Sequence, residues 1–184
     1  MAAKTTWSRE RAESLAARIM SCMAGTGVIE TFPCGELYRL PEKAQVKQLC
    51  VVGVLSETAD SGDVRSQIKS RAEVEFTGCK IKKFKIYDYV EFEDGNVSWL
   101  VIPPEQLGAA MLHANGPVPF VKMIEVFAGS KGLKFGASGL KREDVKLVTP
   151  CEKSLFEELG LDFVSPGERD DIRTLAETRH TESD

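Results

Sequence analysis

An α+β architecture in two parts is the fold class predicted by the 184-residue sequence. Three observations carry it. Apolar residues recur at helical spacing near the N-terminus, and short strand-like runs separated by turn signals fill the rest of the first half. After Pro103-Pro104 the pattern turns mainly helical. The first part therefore reads as a small mixed sheet with flanking helices, and the second as a helical unit carrying a small β-hairpin.

The elements follow in chain order. Residues 8 to 24 predict a helix, with Ser8 as N-cap and Ala12, Leu15, Ala16, Ile19, Met20 and Met23 on one face; "AGTG" stops it. "VIETFPCGELYRL" predicts a strand, a tight Pro-Cys-Gly turn and a short helix or turn. The strand "VKQLCVVGVL" comes next, and "SETADSGD" is a loop by composition. "VRSQIKSRAEVEFTG" is mixed in period. "KIKKFKIYDYVEFEDG" is strand-like, with Phe84, Ile86, Val90 and Phe92 as its inner face, and "EDGN" is a hairpin signal leading into "VSWLVI". Helices follow in "PEQLGAAMLHAN" and "PVPFVKMIEVFAGSKG", then a hairpin in "LKFGASGLKR". "TPCEKSLFEELG" predicts a helix capped by Thr149, with Glu152 three residues on. The expected boundaries are 1–103, 104–175 and a polar, disordered tail at 176–184.

Bulk composition narrows the class. With 42% hydrophobic and 28% charged residues the chain is ordinary for a globular protein. No run approaches the roughly 18 apolar residues a membrane span needs, and the charged start "MAAKTTWSRERAESLAARIM" does not read as a secretory leader. A cytoplasmic location without a membrane is the expectation. Five cysteines, at 22, 34, 50, 79 and 151, with no CxxC pair and two histidines, argue against zinc frameworks and disulfide scaffolds. Cys34 and Cys50 sit in apolar strand contexts and read as buried, unreactive thiols. A formal charge of -4 runs against the basic excess of a dedicated nucleic-acid binder. Positive residues nevertheless cluster in "KIKKFK" (80–85) and "KGLKFGASGLKR" (131–142), and negative ones in "YDYVEFEDG" (87–95) and the tail.

One resemblance sharpens this. His113, Gly116-Pro117, Phe120, Lys131-Gly132, Gly139-Leu140, Glu152, Phe156, Leu159-Gly160-Leu161, Pro166 and Arg169 follow one another in the order and spacing of a known pattern. This segment resembles the palm-to-thumb region of family X DNA polymerases, in the polymerase beta nucleotidyltransferase superfamily. It is most similar to short viral and phage members, which makes a phage source an expectation. The resemblance implies a nucleotidyltransferase palm at 1–103 and a thumb at 104–175.

The palm of that family holds two divalent cations on three carboxylates, two of them alternating on one strand so that both face the same way. In this sequence the positions implied by the resemblance hold Gln48, Cys50 and Ser98. That register takes a two-residue insertion near "PEKAQ"; the ungapped one puts Val46 and Gln48 at the first two places and supplies no acid either. Gly35 and Arg39 match the phosphate-binding turn, but Glu36 and Tyr38 replace its serine and first arginine. Glu125 and Gly136 stand where thumb arginine and asparagine are frequent. An amide, a thiol and a hydroxyl cannot replace three anionic oxygens for magnesium, a hard cation.

Other acids have positions that suit a substitute ligand. Glu36 lies in the phosphate turn, and Glu73-x-Glu75 has the spacing for two ligands on a strand. The alternative for that pair is the solvent face of a half-buried strand, with Ala72, Val74 and Phe76 inward. Glu91, Glu93 and Asp94 flank a hairpin tip. "KIKKFK" either tracks phosphates with Phe84 stacking on a base, or turns Ile81 and Phe84 to the core while its lysines guard a strand edge. Residual nucleotide or DNA binding would fall to Gly35, Arg39, Lys131, Lys134, Lys141 and Arg142. His113 reads as packing, and Trp99 as a core or site-filling aromatic. The expectation is a pseudo-enzyme that needs no cofactor and binds a protein partner or nucleic acid. The alternative is an active nucleotidyltransferase with displaced ligands, which would require Mg2+. The oligomeric state is open.

Overall fold

Ser8 opens the first helix, α1 (Arg9–Met23), its hydroxyl accepting from the Arg11 N–H at 3.2 Å. In the computed structural model, which describes residues 6–42 and 44–170, the chain divides after Pro104 into two compact units. In the first, α1 buries Ala12, Leu15, Ala16, Ile19, Cys22 and Met23, the predicted stripe except that Met20 is only half-buried and Cys22 joins it.

The strand β1 (Val28–Gly35) does not turn at Pro33-Cys34-Gly35. It stays paired with β2 (Leu49–Leu55) through Gly35, with Pro33 opposite Val51. β1 is an edge strand, where a residue without an N–H costs no ladder bond. The short helix α2 (Glu36–Arg39) follows directly. Gly35 is held at φ 84°, and a Cβ there would lie 2.5 Å from the Gln48 carbonyl oxygen. The strand predicted from Val46 begins three residues later, because Val46 instead exchanges backbone hydrogen bonds with Trp7 at 2.8 and 3.0 Å.

The segment of mixed period is a helix, α3 (Ser61–Glu75). Asp60 caps it by accepting from the Gly62 and Asp63 N–H groups at 2.9 Å, and Val64, Ile68 and Ala72 form its buried stripe. Next come β3 (Lys80–Phe84), β4 (Tyr87–Phe92) and β5 (Gly95–Ile102). The predicted single strand over 80–92 is thus a hairpin, its turn at Lys85-Ile86 with Lys85 at φ 51°. Phe84, expected on the inner face, is 59% exposed, whereas the expected hairpin at 92–95 joins β4 and β5.

The sheet order is β1-β2-β5-β4-β3, with β2 and β5 parallel and the other neighbours antiparallel. Helices α1 and α3 pack their stripes onto one face, against Leu49, Val51, Leu55, Val90, Val97 and Trp99. Burial of a side chain such as Ile19 or Ile68 contributes about 1.5–3 kcal/mol. Arg65 ties α3 to the β3–β4 hairpin: its guanidinium grips the buried Asp88 carboxylate at 2.8 and 2.9 Å and donates to the Lys85 and Tyr87 carbonyls.

The second unit runs through a 3-10 turn (Pro104–Gln106), α4 (Leu107–Asn115), α5 (Val118–Ser130), β6 (Leu133–Gly136), β7 (Gly139–Arg142), β8 (Val145–Lys146) and α6 (Glu152–Leu159). The hairpin expected at 133–142 is there, and β8 extends it to three strands in the order β6-β7-β8. The α6 cap is Cys151 rather than Thr149, with Ser154 closing the box. Thr149 is wholly buried and joins the α4 start instead: its N–H donates to the Glu105 carbonyl and its carbonyl accepts from Gly108, both at 2.7 Å. Gly108 allows this approach, since a Cβ there would sit 2.0 Å from the Cys151 carbonyl oxygen.

Arg169 organises this core. It is fully buried, donating to the Val164 carbonyl from Nε and Nη2 at 3.1 and 2.9 Å and to Glu152 from Nη1 at 2.7 Å. Its guanidinium lies 5.6, 5.8 and 6.0 Å from the ring centres of Phe120, Phe156 and Phe163. The motif residues Phe120, Glu152, Phe156 and Arg169 therefore meet as one buried charge clamp. The predicted polar tail at 176–184 lies outside the described residues.

Candidate functional site

Residues opposite one another in adjacent strands project on the same face of a sheet. In the five-stranded sheet Cys34 pairs with Cys50, Cys50 with Ser98, Ser98 with Tyr89, and Tyr89 with Lys82. One lateral row thus crosses all five strands, on the face opposite α1 and α3. Two of the positions implied as carboxylate sites, Cys50 and Ser98, stand side by side on the parallel pair β2 and β5. Gln48 lies just before β2 and is exposed, and its carbonyl accepts the Glu36 N–H at 3.0 Å.

The row is uncharged where the cations would sit. Cys34 and Cys50 are buried free thiols, 0% and 3% exposed. Burial pushes the Cys50 thiol up to about 12, with the Ser98 hydrogen bond working the other way. The Ser98 hydroxyl itself donates to the Leu49 carbonyl at 3.3 Å. Tyr87, which sequence reasoning passed over, shares this face; burial first, and then the neighbouring Cys50 and Cys34, raise its phenol above the usual range. Such donors do not fit magnesium. No group of three His, Cys, Asp or Glu side chains able to hold a metal ion occurs among the described residues. Trp99, next to Ser98 in sequence, points to the other face and is wholly buried in the α1–α3 core, so it does not fill the row.

The acids considered as substitutes are engaged elsewhere, except Glu93, which is exposed at the hairpin tip. Glu36 accepts the Lys47 N–H at 2.5 Å and lies 3.8 Å from Arg39, whose side chain is only 6% exposed. Glu73 and Glu75 are on a helix, not a strand, so two residues' separation turns them apart. They pair with Lys69 and Arg18 at 2.5 and 2.6 Å. Val74, expected inward, is 78% exposed. Glu91 pairs with Lys82 and Asp94 with Arg11.

In the second unit the basic candidates separate. Lys131 donates to the Leu159 carbonyl at 2.6 Å, closing the α6 C-terminus, and its ammonium lies 5.1 Å from the Phe127 ring centre. Lys134 and Lys141 stand directly opposite each other on β6 and β7, and Lys141 stands opposite Lys146 on β8. Arg142 is opposite Leu133 and Val145. Lys146 was missed because a two-residue strand leaves no periodic signal. His113 packs against Phe135 with ring centres 6.3 Å apart; burial lowers its pKa, with Glu125 opposing, which suits a neutral packed imidazole.

Two comparisons bear on this arrangement. Residues 110–170 match the family model for the DNA polymerase beta thumb. DNA polymerase IV of Saccharomyces cerevisiae is 29% identical over 94 residues, which cover 49% of this chain and 16% of that protein. Over part of its length the chain is thus similar to DNA polymerases of the beta type, and it spans a small part of the length of the relative it matches. No helix among the described residues is long and apolar enough to cross a membrane.

Proposed function

We propose that this chain is a polymerase-beta-like palm and thumb that works by binding, without nucleotidyl transfer. The observation that supports this reading is the Cys50–Ser98 pair. A thiol and a hydroxyl stand side by side on adjacent strands at positions the resemblance implies for cation-binding carboxylates, and burial pushes the thiol up to about 12. Phosphoryl transfer relies on positioning and on cations that neutralise developing charge. Glu36, Glu73, Glu75, Glu91 and Asp94 each have another partner, and Glu93 is exposed at the β4–β5 hairpin tip, away from Cys50 and Ser98. The match to a thumb favours DNA as the bound partner, with a protein partner next.

Calorimetric titration of the full chain tests this. Magnesium-dNTP is expected to give no binding heat, and a gapped DNA duplex at low salt is expected to bind. Tight uptake of magnesium-dNTP would overturn the non-catalytic reading and return Glu36 to attention as a ligand.

A further inference from the structure

Cys34 and Cys50 are partners across β1 and β2, and their side chains leave the sheet on the same face. No other two cysteines among the described residues are opposed in this way. The Glu36 N–H donates to the Gln48 carbonyl, so 36 and 48 are a hydrogen-bonded pair, and two residues back Cys34 and Cys50 form another. Pro33 agrees with this register: it falls on the neighbouring pair with Val51, where an N–H would point away from β2. A hydrogen-bonded antiparallel pair sets its Cα atoms about 5.5 Å apart. That lies within the range of about 4.4–6.8 Å over which disulfides close, near its commonest value.

The Cys34 thiol donates to the Phe32 carbonyl of its own strand at 3.4 Å, and Cys50 hydrogen-bonds Ser98. Rotation about the Cα–Cβ bonds turns the two sulfurs toward each other. We propose that Cys34 and Cys50 are an oxidation site for hydrogen peroxide, closing to a disulfide that pins the edge strand β1 to the interior strand β2. The Cys34 sulfur attacks one peroxide oxygen and the O–O bond breaks, which leaves a sulfenic acid and one water. The Cys50 sulfur then displaces the hydroxyl from Cys34, forming the S–S bond and releasing a second water. The two thiols are oxidised by two electrons, and the peroxide is reduced by the same two. With Cys34 0% and Cys50 3% exposed, the reaction waits on opening of β1, which is paired on one side alone. Peroxide, little larger than water, enters through such an opening. The link closes the loop from 34 to 50, which carries Gly35 and α2, so oxidation fixes that segment and reduction releases it. This holds whether or not the chain binds DNA.

The test exposes the reduced full chain to hydrogen peroxide, blocks the remaining thiols with iodoacetamide, and maps the product by mass spectrometry. Digestion with trypsin and a glutamate-specific protease puts each of the five cysteines on its own peptide, because cleavage after Glu30 parts Cys22 from Cys34. The expected product is a peptide pair joining Cys34 to Cys50, two hydrogens lighter than its parts and separated again by dithiothreitol. In the oxidised chain the backbone amides of 31–36 should exchange with deuterium at least about tenfold more slowly than in the reduced chain. Cys34→Ala and Cys50→Ala should each abolish both changes. The map of the intact chain needs no substitution, so it decides the matter even where a variant fails to fold. Peroxide that leaves Cys34 and Cys50 as thiols, carries them to sulfinic acids, or links them to other cysteines would overturn the site. A Cys34–Cys50 link with unchanged exchange at 31–36 would overturn the pinning of β1.

Discussion

The two sheets of this molecule treat charge in opposite ways. In the five-stranded sheet, charged residues that face one another across strands are complementary: Lys80 stands opposite Glu91 and Lys83 opposite Asp88. Asp88 is also clamped by Arg65, and Glu91 by Lys82. In the three-stranded sheet the opposed charges are all lysines. Complementary pairs are the arrangement that serves stability, whereas a file of one sign gives some of it up. The first sheet places Cys50 beside Ser98 on its parallel pair, and the second lines up Lys134, Lys141 and Lys146, with which no acid among the described residues is ion-paired.

The largest expected effect tests the claim that satisfied charge serves stability. Arg169→Ala removes a fully buried guanidinium, leaves Glu152 without its partner and opens a void among three phenylalanines. It should cost about 3–5 kcal/mol, read by denaturant unfolding. A loss below about 1 kcal/mol would mean that the clamp is not what holds the second unit. Arg65→Ala comes next at about 2–3 kcal/mol, because it strands Asp88, which is 2% exposed, while Arg65 itself reaches solvent along one edge. Smallest is Lys141→Glu, which should gain about 0.2–1 kcal/mol per new opposed pair, at the lower end for exposed side chains. A thermal melt showing destabilisation there would break the contrast between the two sheets.

How much of this was legible varies by element, and the reasons are physical. Helix α1 was readable because its cap and stripe agree. The β4–β5 and β6–β7 hairpins were readable because glycine marks their turns. Helix α3 was not: "AEVEF" alternates like a strand, and only three residues, Val64, Ile68 and Ala72, hold the helical stripe. The turn at Lys85-Ile86 carries no glycine or proline, and Lys85 takes up left-handed backbone on its own. Phe84 reads as a core residue by its apolarity, but it ends an edge strand. Thr149 looked like a cap because its hydroxyl and Glu152 are spaced for one, whereas packing against Gly108 drew it inside.

At the candidate site, residue identities could be read and neighbourhoods could not. Gln48, Cys50 and Ser98 were found by resemblance, but the parallel pairing that sets Cys50 beside Ser98 joins residues far apart in sequence. Arg39 and Lys131 were expected to reach for phosphate, whereas Arg39 lies near Glu36 one turn back in α2 and Lys131 donates to the distant Leu159 carbonyl. Lys146 could be found only once β8 closed the file.

The Arg169 clamp also sets how short the second unit can be cut. The guanidinium sits beyond α4–α6 and β6–β8, yet three rings and the Glu152 carboxylate close upon it. A chain shortened to Leu161 would keep all of those helices and strands and still leave Glu152 and the Phe120–Phe156 pair facing an empty space. The minimal autonomous fragment therefore has to run past Arg169, and proteolytic trimming should stall there rather than at the end of α6.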